Sequence, residues 1–465
     1  MEYGIISILI PLLTIFLAII TKDVIVSLIG GIFAGFLVLN AYNPASAFVA
    51  LFDGVIALFA EGWIVKTLLF MLLIGAIINL LSVSGAVESF VAYLSKKAKR
   101  IDSPKGAMLL AYIIGILIFI ESSITALVAG TVAKPLFDKH GVSREKLAYI
   151  CDSSSSPICT LIPLNAWGAL LLGLIVTAID AQVISGDGDA VSLLIASIPY
   201  NFYSIFTLII LLAVILWDLD IGPMKIAEER AKATPNTFPF DDTNIKATPY
   251  KMVLPLLVMI FMVPIGLYLT GNGDIFKGSG STSVYYSVIV TLFFIYLYFV
   301  PSKALTHKSF FKGLYDGMAH MLPVTSILVF ALLIGEVIGD LGTAKYLATL
   351  LEGNISPVVV PLLIFLVSAI TAFSTGTSWG TFSIMMPIGL ALAATMGLDI
   401  PLVIAAVISG GIFGDHSSPI SDTTIISSMA ADCDHVEHVR TQLPYAMIGG
   451  VLAGVGFLIA GWMTI

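Results

Sequence analysis

Long apolar runs recur throughout this chain, and they constrain its fold more strongly than any other feature. A transmembrane α-helix needs roughly 20 mainly apolar residues, and several segments reach or approach that length. These segments are Ile5–Ile20, Val24–Leu39, Ile64–Val83, Ala166–Ile179, Val191–Trp217, Lys251–Leu269, Ser283–Val300, Met321–Ile338 and Leu443–Ile465. No segment alternates apolar and polar residues over strand length, which excludes a membrane β-barrel. The sequence therefore predicts an all-α polytopic membrane protein.

Composition excludes most other classes of protein. Of the 465 residues, 58% are hydrophobic and 11% are charged, whereas soluble domains carry about 25% charged residues. A soluble enzyme, a nucleic-acid-binding protein and a disordered chain are therefore excluded. The three cysteines, Cys151, Cys159 and Cys433, lack zinc-like spacing, so they indicate neither a disulfide framework nor a metal site. We expect a cell-membrane protein that is surrounded by lipid and carries no cofactor.

The two halves of the chain repeat short motifs in the same order. Ser155–Ile158 returns unchanged as Ser417–Ile420, and other matching motifs keep a similar spacing. Any single short match is weak evidence in so apolar a chain, but several matches in one order indicate a duplication. We therefore predict that residues 1–217 and 250–465 are two copies of one membrane unit, joined by a polar, solvated connector at residues 218–249.

Basic residues indicate how the two copies are oriented. Two loops between Lys96 and Lys146 are rich in Lys and Arg, whereas the matching stretches Glu352–Pro361 and Met386–Ile400 carry none. Lys and Arg flank membrane segments mainly on the cytoplasmic side. The first set should therefore face the cytoplasm and the second set the outside. Such inverted repeats are common among secondary transporters.

The same charges predict that two helix pairs enter the membrane and return. Gly106–Ile120 is short for a span, and the basic loops on both sides of its region are expected in the cytoplasm. A re-entrant hairpin satisfies both observations, whereas one long kinked helix is the alternative. Its tip would lie at Glu121, Ser122 and Ser123. The tip of the second copy would lie at Ser374, Thr375, Gly376, Thr377 and Ser378.

Two polar stretches in apolar surroundings predict broken helices. One is Asp152–Pro157, and the other is Gly414–Thr424, which follows an apolar run. Irregular backbone at membrane depth survives only where it is buried in protein or lines a watery cavity. Broken helices present carbonyl oxygens to cations and amides to anions, and hydroxyl and carboxylate oxygens add to the ligands available for Na⁺.

Three aspartates in these stretches, Asp152, Asp415 and Asp422, cost about 2.5–3.5 kcal/mol each within a bilayer, so an ion-binding role is the default. The alternative is a helix cap at the water interface. The predicted ion- or substrate-binding residues are Asp152, Ser153, Ser154, Ser155, Ser156, Asp415, His416, Ser417, Ser418, Asp422, Thr423, Thr424, Glu121, Ser122, Ser123, Asn165, Ser374, Thr375 and Thr377. Within this set, Na⁺ is expected at Asp152, Ser155, Asp415, Ser418 and Asp422.

Three of these residues keep two interpretations each. Glu121 could bind a cation or exchange a proton at a hairpin tip, or it could end a helix near the membrane surface. Asn165 could lend an amide oxygen to the site or cap the helix that begins at Ala166. His416 could titrate near neutral pH, or it could hydrogen-bond a neighbouring backbone carbonyl.

Two further motifs are set aside. The segment Asp432–His438 contains Asp, Cys and His but has no recognised ligand spacing, so a solvated loop is expected there. Gly376–Gly380 matches the G-x-S-x-G motif of hydrolases, which has meaning only at a strand-to-helix turn. No strand and no catalytic base are available nearby, so the chain is not expected to be an enzyme.

The stretch Ser143–Pro157 and the motif Gly414–Thr424 resemble the NhaC-type sodium/proton antiporter family of the wider ion transporter superfamily. The resemblance implies inverted repeats with two re-entrant hairpins, exchange of Na⁺ for H⁺, an elevator-like transport domain and a homodimer. It points to Asp152 with the serines that follow it, and to the second motif. Many relatives have paired aspartates where this chain has Glu121 and Ser122, which puts stoichiometry or substrate in question.

Sequence and resemblance together predict secondary exchange of Na⁺, and of Li⁺ as a related cation, against H⁺ by alternating access. A carboxylate cannot hold both ions, so Na⁺ and H⁺ would compete for one site. The alternative within transport is Na⁺-coupled movement or exchange of a small organic anion or amino acid. A passive channel is a weaker alternative, because channels seldom bury a carboxylate in each of two inverted halves.

Overall fold

The structure is a computed structural model that describes residues 3–21, 23–98, 103–119, 122–184, 190–233, 249–273, 278–343, 346 and 356–464. All regular elements in these ranges are helical. They are α1 Ile6–Thr21, α2 Val24–Leu39, α3 Pro44–Leu58, α4 Gly62–Val83, α5 Ala86–Ala98, α6 Pro104–Leu117, α7 Ser122–His140, α8 Arg144–Leu161, α9 Ala166–Asp180, α10 Ala190–Ser197, α11 Phe202–Trp217, α12 Pro223–Ala233, α13 Tyr250–Thr270, α14 Gly280–Phe299, α15 His307–Asp340, α16 Val360–Thr375, α17 Ser378–Met396, α18 Ile400–Ser417, α19 Asp422–Ala431 and α20 His435–Met463. Short 3₁₀ turns lie at Ile198–Tyr200 and Pro357–Val359.

Within the described ranges, eight helices are long and apolar enough to cross a membrane, or up to ten if each of two bent helix pairs is one span. One bent pair is Arg144–Leu161 with Ala166–Ile179, at 42°. The other is Ala190–Tyr200 with Phe202–Trp217, at 43°, so the predicted span Val191–Trp217 is broken near Asn201. The prediction of an all-α multi-span membrane protein with broken helices is confirmed.

The distribution of polar and apolar residues is the reverse of that in a soluble protein. Phe16, Phe261 and Trp462 are 58%, 61% and 75% exposed. In contrast, Asp152 and the serines beside it are fully buried. Exposed large apolar side chains suit contact with lipid, and buried polar groups suit an internal site.

Both predicted hairpins exist as pairs of helices that pack against each other, α6 with α7 and α16 with α17. In the second pair, α16 ends at Gly376, whose φ of +67° is left-handed, and α17 begins at Ser378. A side chain at Gly376 would also collide with the backbone oxygen of Ile420, 2.7 Å from the Cβ position. The tip between α16 and α17 lies where the sequence predicted it. At the first tip, Ser122 and Ser123 begin α7, and Glu121 lies outside the described residues. The return of both pairs to one side of the membrane stays a prediction.

The predicted break at Asp152–Pro157 is wrong, because α8 runs without interruption through this stretch. The serines keep the helix by bonding to its own backbone, as Ser154 Oγ does to the Ile150 oxygen at 2.7 Å. The helix instead ends at Leu161, just before Pro163. A residue that precedes proline is pushed out of the helical region, and Ile162 has a non-helical φ of −118° and ψ of 87°.

The second predicted break is confirmed. Helix α18 ends at Ser417, and α19 begins at Asp422 after four non-helical residues, Ser418–Ser421. The Ser421 side chain caps α19 by accepting a hydrogen bond from the Thr424 amide. The break after α8 follows the polar stretch Asp152–Pro157, whereas this second break lies inside the polar motif itself.

The described part of the connector is not fully solvated. Residues Pro223–Ala233 form helix α12, in which Met224 and Glu228 are buried. Residues 234–248 lie outside the described ranges. The order of elements is similar in the two halves, with a helix pair followed by an interrupted helix, and their relation as inverted repeats stays a prediction.

Candidate functional site

Asp152 lies at the centre of the site and is fully buried. Its Oδ2 accepts hydrogen bonds from Thr424 Oγ1 at 3.0 Å and from Gln442 Nε2 at 2.7 Å. Its Oδ1 has no hydrogen-bond partner in the described structure. Both donors come from the second half of the chain, so the carboxylate lies where the two halves meet.

His416 links three elements around this carboxylate. Its Nε2 lies 2.9 Å from Ser153 Oγ and 3.9 Å from Asp152 Oδ2, and its Nδ1 lies 2.6 Å from Tyr203 Oη. The interpretation of His416 as a partner of a backbone carbonyl is therefore wrong, because both ring nitrogens meet side chains. Its titration stays a prediction.

Asp415 is buried next to His416 and has a different partner. Its Oδ2 accepts a hydrogen bond from Ser378 Oγ at 2.9 Å, at the tip between α16 and α17. Its Oδ1 has no hydrogen-bond partner among the described residues. Over the same ranges, neither Asp152 nor Asp415 forms an ion pair with a Lys or Arg.

The hydroxyls that follow Asp152 are not equivalent. Ser154 and Ser155 hydrogen-bond to helix carbonyls, Ser155 Oγ reaching the Asp152 oxygen at 3.3 Å. Ser153 meets His416. Ser156 is buried, and its Oγ has no hydrogen-bond partner in the described part of the chain. Among the four serines, Ser156 is therefore the one with an uncommitted oxygen.

The second motif divides between the site and its surroundings. Thr424 reaches Asp152, whereas Ser417 and Ser418 donate to the backbone oxygens of Phe413 and Phe373, at 2.7 and 2.8 Å. The remaining members of the motif stay near the start of α19. Thr423 Oγ1 meets Ser421 Oγ at 3.0 Å, and exposed Asp422 accepts from the Thr423 amide at 2.8 Å.

The two hairpin tips contribute unequally. Glu121 lies outside the described residues; Ser122 is buried, Ser123 is half-buried, and Thr125 Oγ1 donates to the Ile118 oxygen across the tip. In the second tip, Ser374 and Thr377 are half-buried, while Thr375 Oγ1 donates to the Thr371 oxygen at 2.9 Å. Of the described tip residues predicted to bind, none hydrogen-bonds to Asp152 or Asp415, and Ser378 is the tip residue that does.

Asn165 caps the helix after the first break. Its Oδ1 accepts from the Gly168 amide at 3.0 Å, and its Nδ2 donates to the oxygens of Phe119 and Ile162 at 2.9 and 2.8 Å. The cap interpretation is confirmed. The same amide ties the end of the first hairpin to the break, so Asn165 supports the site rather than facing it.

Sequence reasoning missed the contribution of the last helix. The expected solvated loop is wrong for His438, which is fully buried. Its Nε2 lies 2.9 Å from Gln442 Oε1, and its Nδ1 lies 2.8 Å from Ser428 Oγ. The signal was present in the sequence, because His438, Thr441 and Gln442 have the spacing of one helix face.

A second group of polar contacts joins α8 to the broken pair α10 and α11. Sequence reasoning did not predict these contacts either. Asn201 Nδ2 donates to Thr160 Oγ1 at 3.0 Å, and its Oδ1 accepts from Ser409 Oγ at 2.9 Å. Tyr203, two residues later, holds His416. The break near Asn201 therefore brings polar groups to the interior instead of interrupting a lipid-facing span.

The first turn of α8 is held by a buried ion cluster from the connector. Lys146 Nζ lies 2.7 Å from Asp220 Oδ1 and 3.1 Å from Glu228 Oε2, and Glu228 also accepts from Ser143 Oγ at 2.6 Å. Burial raises the pKa of the Asp220 carboxyl, and the Lys146 ammonium opposes that rise. Lys146 is thus an internal anchor and not the solvated loop charge that the sequence suggested.

These observations define a class of protein. A multi-span helical membrane protein encloses two buried carboxylates, one of them beside a helix break, within reach of hydroxyl, amide and imidazole groups but of no Lys or Arg in the described ranges. The same ranges contain no group of three His, Cys, Asp or Glu side chains placed to hold a metal. Broken helices around a buried polar site are typical of secondary transporters.

Comparison with known proteins gives the family. Residues 158–462 match the profile of the Na⁺/H⁺ antiporter family. An uncharacterized protein of Haemophilus influenzae is 35% identical over 98% of this chain and 91% of its own length. The malate-2H(+)/Na(+)-lactate antiporter of Bacillus subtilis is 30% identical over 34% of each chain. The YdaH transporter of Alcanivorax borkumensis has a similar fold, with a TM-score of 0.61 at 16% identity, over 90% of this chain and 89% of that one.

This chain belongs to the Na⁺/H⁺ antiporter family. The predicted NhaC-type family membership is confirmed. The chain is a multi-pass membrane protein and a secondary transporter, and not an enzyme.

Proposed function

We propose that this transporter exchanges Na⁺, and Li⁺ as a related cation, for H⁺ across the cell membrane by alternating access. One observation carries the proposal. The Asp152 carboxylate is fully buried and accepts from two neutral donors, Thr424 and Gln442, with no Lys or Arg partner in the described structure. A buried charge without a partner is strongly unfavourable.

A mobile cation resolves this electrostatic problem. Either a proton on the carboxylate or a Na⁺ ion beside it removes the uncompensated charge, and one carboxylate cannot carry both. The uncommitted Oδ1 of Asp152 and the uncommitted Oγ of Ser156 are the oxygens that we assign to the cation. Competition for one site, combined with access from alternating sides, gives exchange.

Asp415 is the second carboxylate of the proposal. Among the described residues, its Oδ1 has no hydrogen-bond partner and Ser378 Oγ donates to its Oδ2. The same competition between Na⁺ and H⁺ therefore applies to Asp415. The remaining predicted Na⁺ ligands are Ser155, Ser418 and Asp422. We assign them a secondary role, because the two serines bond to backbone oxygens and Asp422 is exposed. The inverted-repeat, elevator and homodimer predictions belong to this proposal as well.

A second candidate is Na⁺-coupled exchange of a small organic anion. The similarity to an antiporter named for malate and lactate favours it. The hydroxyl-rich tip Ser374–Ser378 and the start of α17 would suit a carboxylate, because helix N-termini attract anions. In that case the aspartates would serve the coupling Na⁺.

Proteoliposomes with an imposed proton gradient and a pH-sensitive dye test the proposal. Addition of Na⁺ or Li⁺, but not K⁺, should release protons from the wild-type vesicles. The Asp152→Asn variant should show no such release. Asp316→Asn is a matched control, because Asp316 is exposed on α15 and should tolerate the same change.

The results separate the two candidates. Cation-specific proton release that is lost in Asp152→Asn supports Na⁺/H⁺ exchange. If wild-type vesicles stay silent although the protein is folded and inserted, Na⁺/H⁺ exchange is wrong. Na⁺-driven uptake of carboxylates or amino acids is then the assay for the second candidate.

A further inference from the structure

Gln442 is the side chain that completes the hydrogen bonding of Asp152. Its Nε2 donates to Asp152 Oδ2 and to the backbone oxygen of His416, both at 2.7 Å. Its Oε1 lies 2.9 Å from His438 Nε2. Gln442 is buried near the N-terminal end of α20, and both polar atoms of its amide are hydrogen-bonded.

The orientation of this amide is determined by its neighbours. The Asp152 carboxylate and the His416 carbonyl can only accept hydrogen bonds, so the amino group of Gln442 must face them. The amide oxygen therefore faces His438, whose Nε2 must carry the hydrogen. Ser428 Oγ meets the other ring nitrogen at 2.8 Å and holds the imidazole in place.

We propose that Gln442 is a positioning residue for cation exchange, and the inference rests on the proposed function. It fixes Oδ2 of Asp152 so that Oδ1 alone is presented to the cation. It does so without adding charge, so the site keeps the negative charge that a mobile cation must neutralise. A Lys or Arg at this position would supply a permanent cation, and an acid would add a second negative charge.

The substitution Gln442→Glu tests the role of the neutral amide. It nearly preserves shape but places a second carboxylate at hydrogen-bond distance from Asp152. Two carboxylates this close share a proton, which they hold more tightly than one carboxylate does. We expect the pH of half-maximal Na⁺-driven proton release to rise by about one unit or more. A merely structural role would lower the amount of folded protein and leave this pH unchanged.

A second substitution, Gln442→Met, tests the fixing of Oδ2. It removes both donated hydrogen bonds with little change in volume. Hydrogen bonds to charged groups are stronger than those between neutral groups, so we expect the half-saturating Na⁺ concentration to rise roughly tenfold or more with a smaller change in maximal rate. For the acid variant Gln442→Glu, the matched control is Gln182→Glu, because Gln182 is exposed and the chemical change is the same.

Thermal unfolding of the purified protein separates this inference from the proposed function. Bound Na⁺ should raise the unfolding temperature of the wild type. Gln442→Met should need more Na⁺ for the same rise, whether or not proton exchange occurs. If wild-type vesicles release no protons, Na⁺/H⁺ exchange is wrong, and this Na⁺ titration still decides the role of Gln442. A wild-type pH profile in Gln442→Glu, or a wild-type Na⁺ dependence in Gln442→Met, would overturn the inference.

Discussion

The two buried aspartates occupy similar positions in the two halves of the sequence but have different surroundings. Asp152 precedes Ser155–Ile158 on a continuous helix and receives both of its hydrogen bonds from the opposite half of the chain. Asp415 precedes Ser417–Ile420 at a real break and receives its hydrogen bond from Ser378 in its own half. Sequence repetition therefore does not imply equivalent sites.

The difference suggests a division of roles. The environment of Asp152 depends on how the two halves are arranged, so a change in that arrangement alters the carboxylate directly. The environment of Asp415 depends on the tip between α16 and α17. We therefore expect Asp152 to carry the exchange and Asp415 to tune it, and the following experiments test this comparison.

The largest effect should come from removing the charges themselves. Asp152→Asn should reduce Na⁺-driven proton release to the background of empty vesicles, because the group that exchanges the ions is gone. Asp415→Asn should lower the rate by about tenfold, the equivalent of about 1.4 kcal/mol. Parallel dye assays on both variants measure the ratio, and equal losses would contradict the division of roles.

The next largest effect should come from the contacts that anchor the starts of α8 and α18. The first turn of α8 is held by buried Lys146, whereas the start of α18 is capped by Asp399 Oδ1, which accepts a hydrogen bond from the Leu402 amide at 2.8 Å. Breaking a buried ion pair costs about 3–5 kcal/mol, and losing a cap costs about 1 kcal/mol. Thermal unfolding should therefore show a much larger loss for Lys146→Ala than for Asp399→Ala. The reverse order would exclude the connector as an anchor of α8.

A smaller effect should follow from removing single donors. Thr424→Val deletes one of two hydrogen bonds to Asp152, and a hydrogen bond to a charged group contributes about 1.5–3 kcal/mol. We expect roughly a tenfold rise in the half-saturating Na⁺ concentration, since 1.4 kcal/mol is a factor of ten. Ser378→Ala should change it less, because Asp415 is the tuning carboxylate. Na⁺ titrations of both variants decide the order.

The smallest effect should distinguish two neighbouring serines. Ser156→Ala removes an uncommitted oxygen that we assign to the cation, whereas Ser154→Ala removes a hydroxyl bonded to its own helix. We expect a rise of about threefold in half-saturating Na⁺ for Ser156→Ala, in line with about 0.5–1.5 kcal/mol for a neutral contact. Ser154→Ala should match the wild type. A similar shift in both would show that the Ser156 oxygen is not a ligand.

The sequence predicts features that depend on local chemistry. The break at Ser418–Ser421 and the tip between α16 and α17 follow from polar residues inside apolar runs, and they are where expected. The break expected at Asp152–Pro157 fails because serines can also bond within a helix, and the local pattern does not distinguish the two cases. Pro163 is the better signal for the end of α8, because the helix ends at Leu161, just before it.

Features that depend on the packing of distant segments were not predicted. In the sequence, Lys146 looks like an ordinary loop charge. In the structure, it forms ion pairs with Asp220 and Glu228. The spacing of His438 and Gln442 indicates a polar face near the start of a long apolar helix, but it does not indicate that this face meets Asp152. Their role comes from tertiary contacts, which no local pattern contains.

The hydrogen bond between Asp152 and Gln442 spans 290 positions of the chain, which has a consequence for biosynthesis. At roughly 5–20 residues per second, a ribosome needs about 15 to 60 seconds to travel that distance. During this interval the first aspartate has been made while its amide donor has not. A nascent or truncated chain without the final helix therefore carries an incompletely bonded acid, a defect by which membrane quality control could distinguish unfinished molecules from complete ones.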